Sequence, residues 1–147
     1  MNGMTPVVKT VTAWLKGLVI LYGLYIVAYG HLTPGGGFAG GVIIACGLVL
    51  SNLAYGRSGR APHAAEALDC IGAALFLALA TFGMLQVLGG RFFVNFIQRY
   101  APGAAYSLAS AGVIPLANGA IALKVGASLL AVFVVMAAFR GSLVADD

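Results

Sequence analysis

The chain has 147 residues, of which 61% are hydrophobic and 8% charged, with a formal net charge of +4. An ordinary soluble domain is about one-quarter charged, so this composition excludes one. The few basic residues are too scattered to suggest nucleic-acid binding and read instead as topological markers.

The apolar residues fall into runs that suit a bilayer, which needs roughly 20 residues per helix. The chain therefore reads as an all-α integral membrane protein with four transmembrane helices and almost no extramembrane mass. The first span runs from about Val7 to Gly30. Lys9 and Lys16 precede its apolar core, but no small-x-small cleavage site follows, so the stretch does not read as a signal peptide. Lys9, Thr12, Ala13 and Lys16 share one face by the three-to-four spacing. Lys16 lies about two turns in, where its long stem would snorkel to the near interface. Tyr29 is placed as an interfacial anchor.

Next comes His31-Leu-Thr-Pro34-Gly35-Gly36-Gly37-Phe38-Ala39-Gly40-Gly41, with five of the chain's 21 glycines. Pro34 disfavours helical geometry in Thr33. Gly35, Gly36 and Gly37 tolerate positive φ. A connector this short makes the flanking spans an antiparallel pair. Gly37 and Gly41 lie one helical turn apart and, with Ala45, present a smooth flank to another helix. The stretch reads first as a turn with a packing surface. The sharper reading is a broken, polar backbone lining an ion path or an inter-subunit seam. Gly35-x-Gly37-x-x-Gly40 formally matches a dinucleotide fingerprint, but no soluble strand precedes it and no acid follows at the required distance.

The second span runs from about Phe38 to Tyr55, short enough that the glycine turn should dip toward the membrane. A hydrophilic loop, 56–63, holds Arg57, Arg60 and His63. The third span is expected from about Ala67 to Leu88. Glu66 and Asp69 then fall in its first turn, where acids complement the helix dipole. Residues 91–100 put Phe92, Phe93, Phe96, Ile97 and Tyr100 on one face, the pattern of a helix lying in the interface. A kinked extension of the third span is the alternative. The fourth span runs from about Val113 to Phe139, with Gly112, Gly119 and Gly126 recurring every seven residues as a groove. Lys124 sits near its middle among Ala117, Ala120, Ala127, Ser128 and Ala131. A lone ammonium at that depth needs an acceptor, and no acid of this chain is expected there. A partner subunit is the economical source. Cys46 and Cys70 read as packing residues, with no disulfide framework or metal site.

Four spans put both termini on one side, with Lys9, Arg57, Arg60 and Arg140; Arg91 and Arg99 mark the other. The positive-inside rule then places both termini in the cytoplasm.

The block His31-x-x-Pro34-Gly35-Gly36-Gly37-Phe38-x-Gly40-Gly41 closely resembles the hallmark of the B subunit of Mrp-type multisubunit sodium/proton antiporters, the MnhB domain. The layout matches nearly the whole chain, so the resemblance implies one MnhB-like transmembrane domain over 1–147. It also implies a small, non-catalytic subunit working with large proton-pumping subunits related to the membrane arm of respiratory complex I. Sodium ions and protons would be carried by the complex, with no cofactor bound by this chain. His31, Pro34 and Phe38 fall on positions the family marks as important for antiport. Similar subunits occur in membrane-bound hydrogenases, where the antiporter module joins a redox arm. In one respect the chain departs from the antiporter pattern. Where MnhB-type antiporter subunits carry a Phe-Asp-x-Gly-like stretch, this chain reads Leu116-Ala117-Asn118-Gly119, and Lys124 follows. That resembles the redox-linked branch.

The ion-pathway candidates are His31, Lys124 and Lys16. The motif and helix-packing candidates are Pro34, Gly35, Gly36, Gly37, Phe38, Gly40, Gly41, Gly119 and Gly126. An autonomous small transporter or channel is the other reading, but the chain lacks the internal repeat many transporters show. No nucleophile–base pair, metal cluster or phosphate loop suggests an enzyme.

Overall fold

The computed structural model describes residues 4–56, 62–86, 95, 97, 106 and 110–145. Its membrane-length helices are α1 (Pro6–Ala28), α2 (Gly36–Tyr55), α3 (Pro62–Gln86) and α4 (Ile114–Ala145). All four are long and apolar enough to cross a membrane.

Local chemistry sets the helix limits. Pro6 opens α1 and Pro62 opens α3, where a missing N–H is harmless and a fixed φ favours the helix. Gly56, with φ 64°, closes α2 in the left-handed conformation, and its N–H bonds to the Asn52 carbonyl.

The third helix corrects an expectation. It begins at Pro62, not Ala67, because the polar loop gives way to helix as soon as the proline allows. Asp69 is therefore about 10 Å along the helix rather than in its first turn, at about 1.5 Å per residue. The proposed interfacial helix over 91–100 lies outside the described residues, apart from Asn95 and Ile97.

The helices form a row in the order α1, α2, α4, α3, with α2 and α4 in the middle. α2 is flanked on both sides through glycine. A methyl built on Gly23 of α1 would fall 2.7 Å from Ile44 Cγ1 and 3.1 Å from the Gly40 carbonyl oxygen. On the other flank, a methyl on Gly41 would fall 2.7 Å from the Ala122 carbonyl oxygen of α4. Gly37 meets Asn118 and Gly41 meets Ala122, so α2 and α4 advance in the same direction.

The core is made of small residues: Ala45, Ala54, Ala65, Ala80, Ala117 and Ala120 are buried, and among the described residues no large side chain is fully so. Large apolar side chains such as Trp14, Leu21 and Leu85 point outward. In lipid there is no hydrophobic drive to hide them, and close backbone approach supplies the packing instead. Cys46 and Cys70 are free and exposed, so they do not pack the interior as the sequence suggested.

Candidate functional site

Two polar regions stand out, one at the α1–α2 connection and one at the α3–α4 crossing. At the connection, the Tyr29 carbonyl accepts the N–H groups of Leu32 (2.8 Å) and Thr33 (3.0 Å) and the Thr33 hydroxyl (3.0 Å). The chain then reverses at Gly35 and Gly36, whose φ angles of 116° and 57° suit glycine. Gly37 is already helical.

The start of α4 docks onto this turn. The Asn118 side chain lies against Gly30 and Gly36: a methyl on Gly30 would fall 2.8 Å from its Nδ2, and one on Gly36 3.3 Å from its Oδ1. A methyl on Gly37 would overlap the Asn118 carbonyl oxygen. Beside this contact, His31 Nε2 lies 3.1 Å from Ser110 Oγ. The turn before α4 is itself held by Asn95, whose Nδ2 donates to the Ala111 carbonyl (2.9 Å) and whose Oδ1 accepts from the Val113 N–H (3.1 Å).

The second region is an ion pair. Lys124 Nζ of α4 donates to Asp69 Oδ1 of α3 at 2.9 Å, and the Ser128 hydroxyl donates to the same oxygen. The backbones press together here: a methyl on Gly72 would fall 2.7 Å from the Lys124 nitrogen. This overturns the expectation that Lys124 finds its carboxylate on another subunit. The small residues around Lys124 do admit a second helix, but that helix is α3 of the same chain. The pair is not sealed: the Lys124 side chain remains 48% exposed and that of Asp69 29%.

The three ion-pathway candidates do not converge. His31 sits at the turn, Lys124 faces α3, and Lys16 is half-buried on α1, at the opposite end of the row. No hydrogen bond or ion pair joins the Lys16 side chain to another described residue. Among the motif residues, Gly37, Gly40 and Gly41 are buried at helix contacts, whereas Pro34 and Phe38 are exposed, Phe38 by 63%. The three glycines expected to share a groove, Gly112, Gly119 and Gly126, stand in different surroundings, although Gly119 and Gly126 both border one cavity. Gly126 lies against the Gly41 carbonyl oxygen, 3.3 Å from where its methyl would be, while a methyl on Gly119 meets nothing within 4 Å. Gly112 has φ 62° beside the Asn95 side chain.

An apolar cavity of about 440 Å³ lies among the four helices, lined by residues including Leu24, Ile44, Leu68, Leu123 and Leu130. Its described walls carry no polar side chain, so they offer nothing to replace the hydration of an ion.

Sequence reasoning missed Asp69, Ser128 and Asn95 as structural partners. Pro62 was the available signal for Asp69, since a proline at the first helical position moves the helix start. Asn95 had none, because its bonds span 16 and 18 residues.

Four apolar helices packed through small residues, with an ion pair at membrane depth, define a multi-pass membrane protein. The family model described as "Domain related to MnhB subunit of Na+/H+ antiporter" matches residues 7–131, and the chain belongs to this family. The chain is 36% identical over 132 residues to an uncharacterized protein of Methanocaldococcus jannaschii, covering 85% of this chain and 49% of that protein. It is 32% identical over 90 residues to the B-type subunit of the Na(+)/H(+) antiporter of Bacillus subtilis, covering 60% of this chain and 63% of that relative. The chain thus spans about half of the first relative and under two-thirds of the second.

Proposed function

We propose that this chain is a small, non-catalytic membrane subunit of a multisubunit sodium/proton antiporter. The observation that carries this reading is the family match over residues 7–131, which includes the whole glycine turn and the Asp69–Lys124 pair. The complex resides in the cell membrane with both chain termini in the cytoplasm, as the distribution of Lys9, Arg57, Arg60 and Arg140 suggests. Other membrane subunits supply the main ion path for sodium ions and protons. This chain holds its neighbours in register and contributes polar groups at two depths: His31 near the turn, and Lys124 with Asp69 further in. Lys16 is a third candidate on α1. The apolar lining of the central cavity argues against an autonomous transporter.

A finer reading assigns the module to a complex with a redox arm, such as a membrane-bound hydrogenase. It is favoured by Ala117, a neutral residue at the place where the resembled antiporter pattern carries an acid.

The test uses everted vesicles containing the whole complex, with and without this chain. Sodium addition should collapse a preformed proton gradient only when the chain is present. Equal sodium-dependent proton movement without it would refute the reading.

A further inference from the structure

The ion pair is satisfied within the chain and yet open to its side, and this combination identifies a surface. An ammonium has three donors. Asp69 takes one from Lys124, and no other described residue accepts from it. The ammonium stands level with Asp69, which is seven residues into α3, roughly 10 Å from its start at about 1.5 Å per residue. A lysine stem does not span that distance, so snorkelling does not rescue the remaining N–H groups. Lipid tails carry no acceptor, and groups left unsatisfied in hydrocarbon are costly. Beside the pair, a groove of about 280 Å³ runs between α3 and α4. Gly72, Ala73 and Ala120 are among its lining residues, and Phe76, Leu77 and Ile121 complete much of its wall. Lys124 contributes only its apolar stem to this lining, its ammonium being turned along α3 to Asp69 at the end of the groove.

We propose that this α3–α4 face is where a transmembrane helix of a different subunit docks, inserting a side chain with a hydrogen-bond acceptor toward Lys124. The acceptor is a carboxamide or a hydroxyl. Because Asp69 already offsets the ammonium, the incoming group need not be charged. The small residues let the partner backbone approach, and the charge-assisted hydrogen bond sets its axial register. This inference rests on the reading of the chain as a subunit, and it names the side that meets the partner.

The experiment places a photo-crosslinking residue, p-benzoylphenylalanine, at Leu77, which lines the groove and is 59% exposed, so the chain's own packing is undisturbed. The same probe at Trp14 of α1, 77% exposed, reports a face without an ion pair. Irradiation is done in native membranes containing the full complex. The expected product at Leu77 is an adduct to a transmembrane segment of a subunit that co-purifies with this chain, with an acceptor side chain about two turns away, level with Asp69. Adding Lys124→Met should lower its yield by roughly tenfold or more, the loss typical when one partner of a desolvated charge contact is truncated. Adducts to lipid only, adducts to a second copy of this chain, or a yield indifferent to Lys124→Met would each overturn the proposal. Sodium-dependent proton movement is followed in the same membranes. Intact transport with lipid-only adducts removes the docking face and leaves the subunit reading standing. The expected adduct in a complex without such transport does the reverse.

Discussion

The glycine turn and the α3–α4 crossing are both places where α4 meets another helix of the chain, but they are built by opposite means. At the turn, contact comes from absent side chains: Gly30, Gly36 and Gly37 let Asn118 sit against backbone. At the crossing, Gly72 admits the α4 backbone, and beside it a lysine, an aspartate and a serine form a polar cluster. The first contact is tightly packed, with Gly37 buried in it, and the Asn118 Nδ2 there is buried without a hydrogen-bond partner among the described residues. The second leaves the Lys124 side chain half exposed on the flank of an apolar helix. Backbone-to-backbone packing leaves its spare donor shut inside the chain. A charge pair at a helix flank leaves donors over and so points outward to something further.

The largest test of this difference is Gly37→Leu. Even a methyl group there overlaps the Asn118 carbonyl oxygen, and backbone has no rotamer with which to retreat. The loss should exceed the about 1–3 kcal/mol of ordinary overpacking, and little folded chain should accumulate in the membrane. Normal accumulation, measured by detergent extraction and size-exclusion chromatography, would mean that the turn is not a closed contact.

A smaller and reversible effect is expected at the crossing. Lys124→Met leaves Asp69 without its cation, and Asp69→Asn leaves Lys124 without its anion; each should lower the thermal midpoint of the purified complex. The double substitution removes both charges and should recover much of the loss, because a polar pair in an apolar setting is replaceable by packed neutral groups. Additive losses in the double variant would show that the two side chains act independently, despite their 2.9 Å separation.

What the sequence made legible follows from the range of the forces involved. The four spans were readable because hydropathy is local and the glycine turn and the polar 56–63 stretch punctuate it. The Gly37–Gly41–Ala45 stripe announced close packing, since one-turn spacing fixes a face, but it did not say which helix lies opposite. That helix proved to be α4 of the same chain. The Asp69–Lys124 pair was hidden by a five-residue error in the start of α3. Placed at the first turn, Asp69 is accounted for by the helix dipole; started from Pro62, the same residue reaches the depth of Lys124. The Asn118 contact with the turn joins segments more than 80 residues apart and leaves no periodic trace.

The smallest expected effect separates two glycines that the sequence alone treats as equivalent. Gly119 and Gly126 lie seven residues apart, nearly one above the other on α4, and both border the central cavity. They differ in what stands opposite. A methyl on Gly126 comes within 3.3 Å of the Gly41 carbonyl oxygen, so Gly126→Ala must push α2 aside by a few tenths of an ångström. A methyl on Gly119 meets nothing within 4 Å, so Gly119→Ala gains helix propensity with no clash. Alanine is favoured over glycine inside a helix by roughly 0.5–1 kcal/mol, and about 1 kcal/mol shifts the midpoint of a chain this size by about 2–4 °C. Gly119→Ala should therefore hold or slightly raise the thermal midpoint of the purified chain, while Gly126→Ala lowers it. If the two substitutions lower it equally, both glycines are packing sites on a surface this chain does not itself cover, and the partner helix reaches further along α4 than the Lys124 groove.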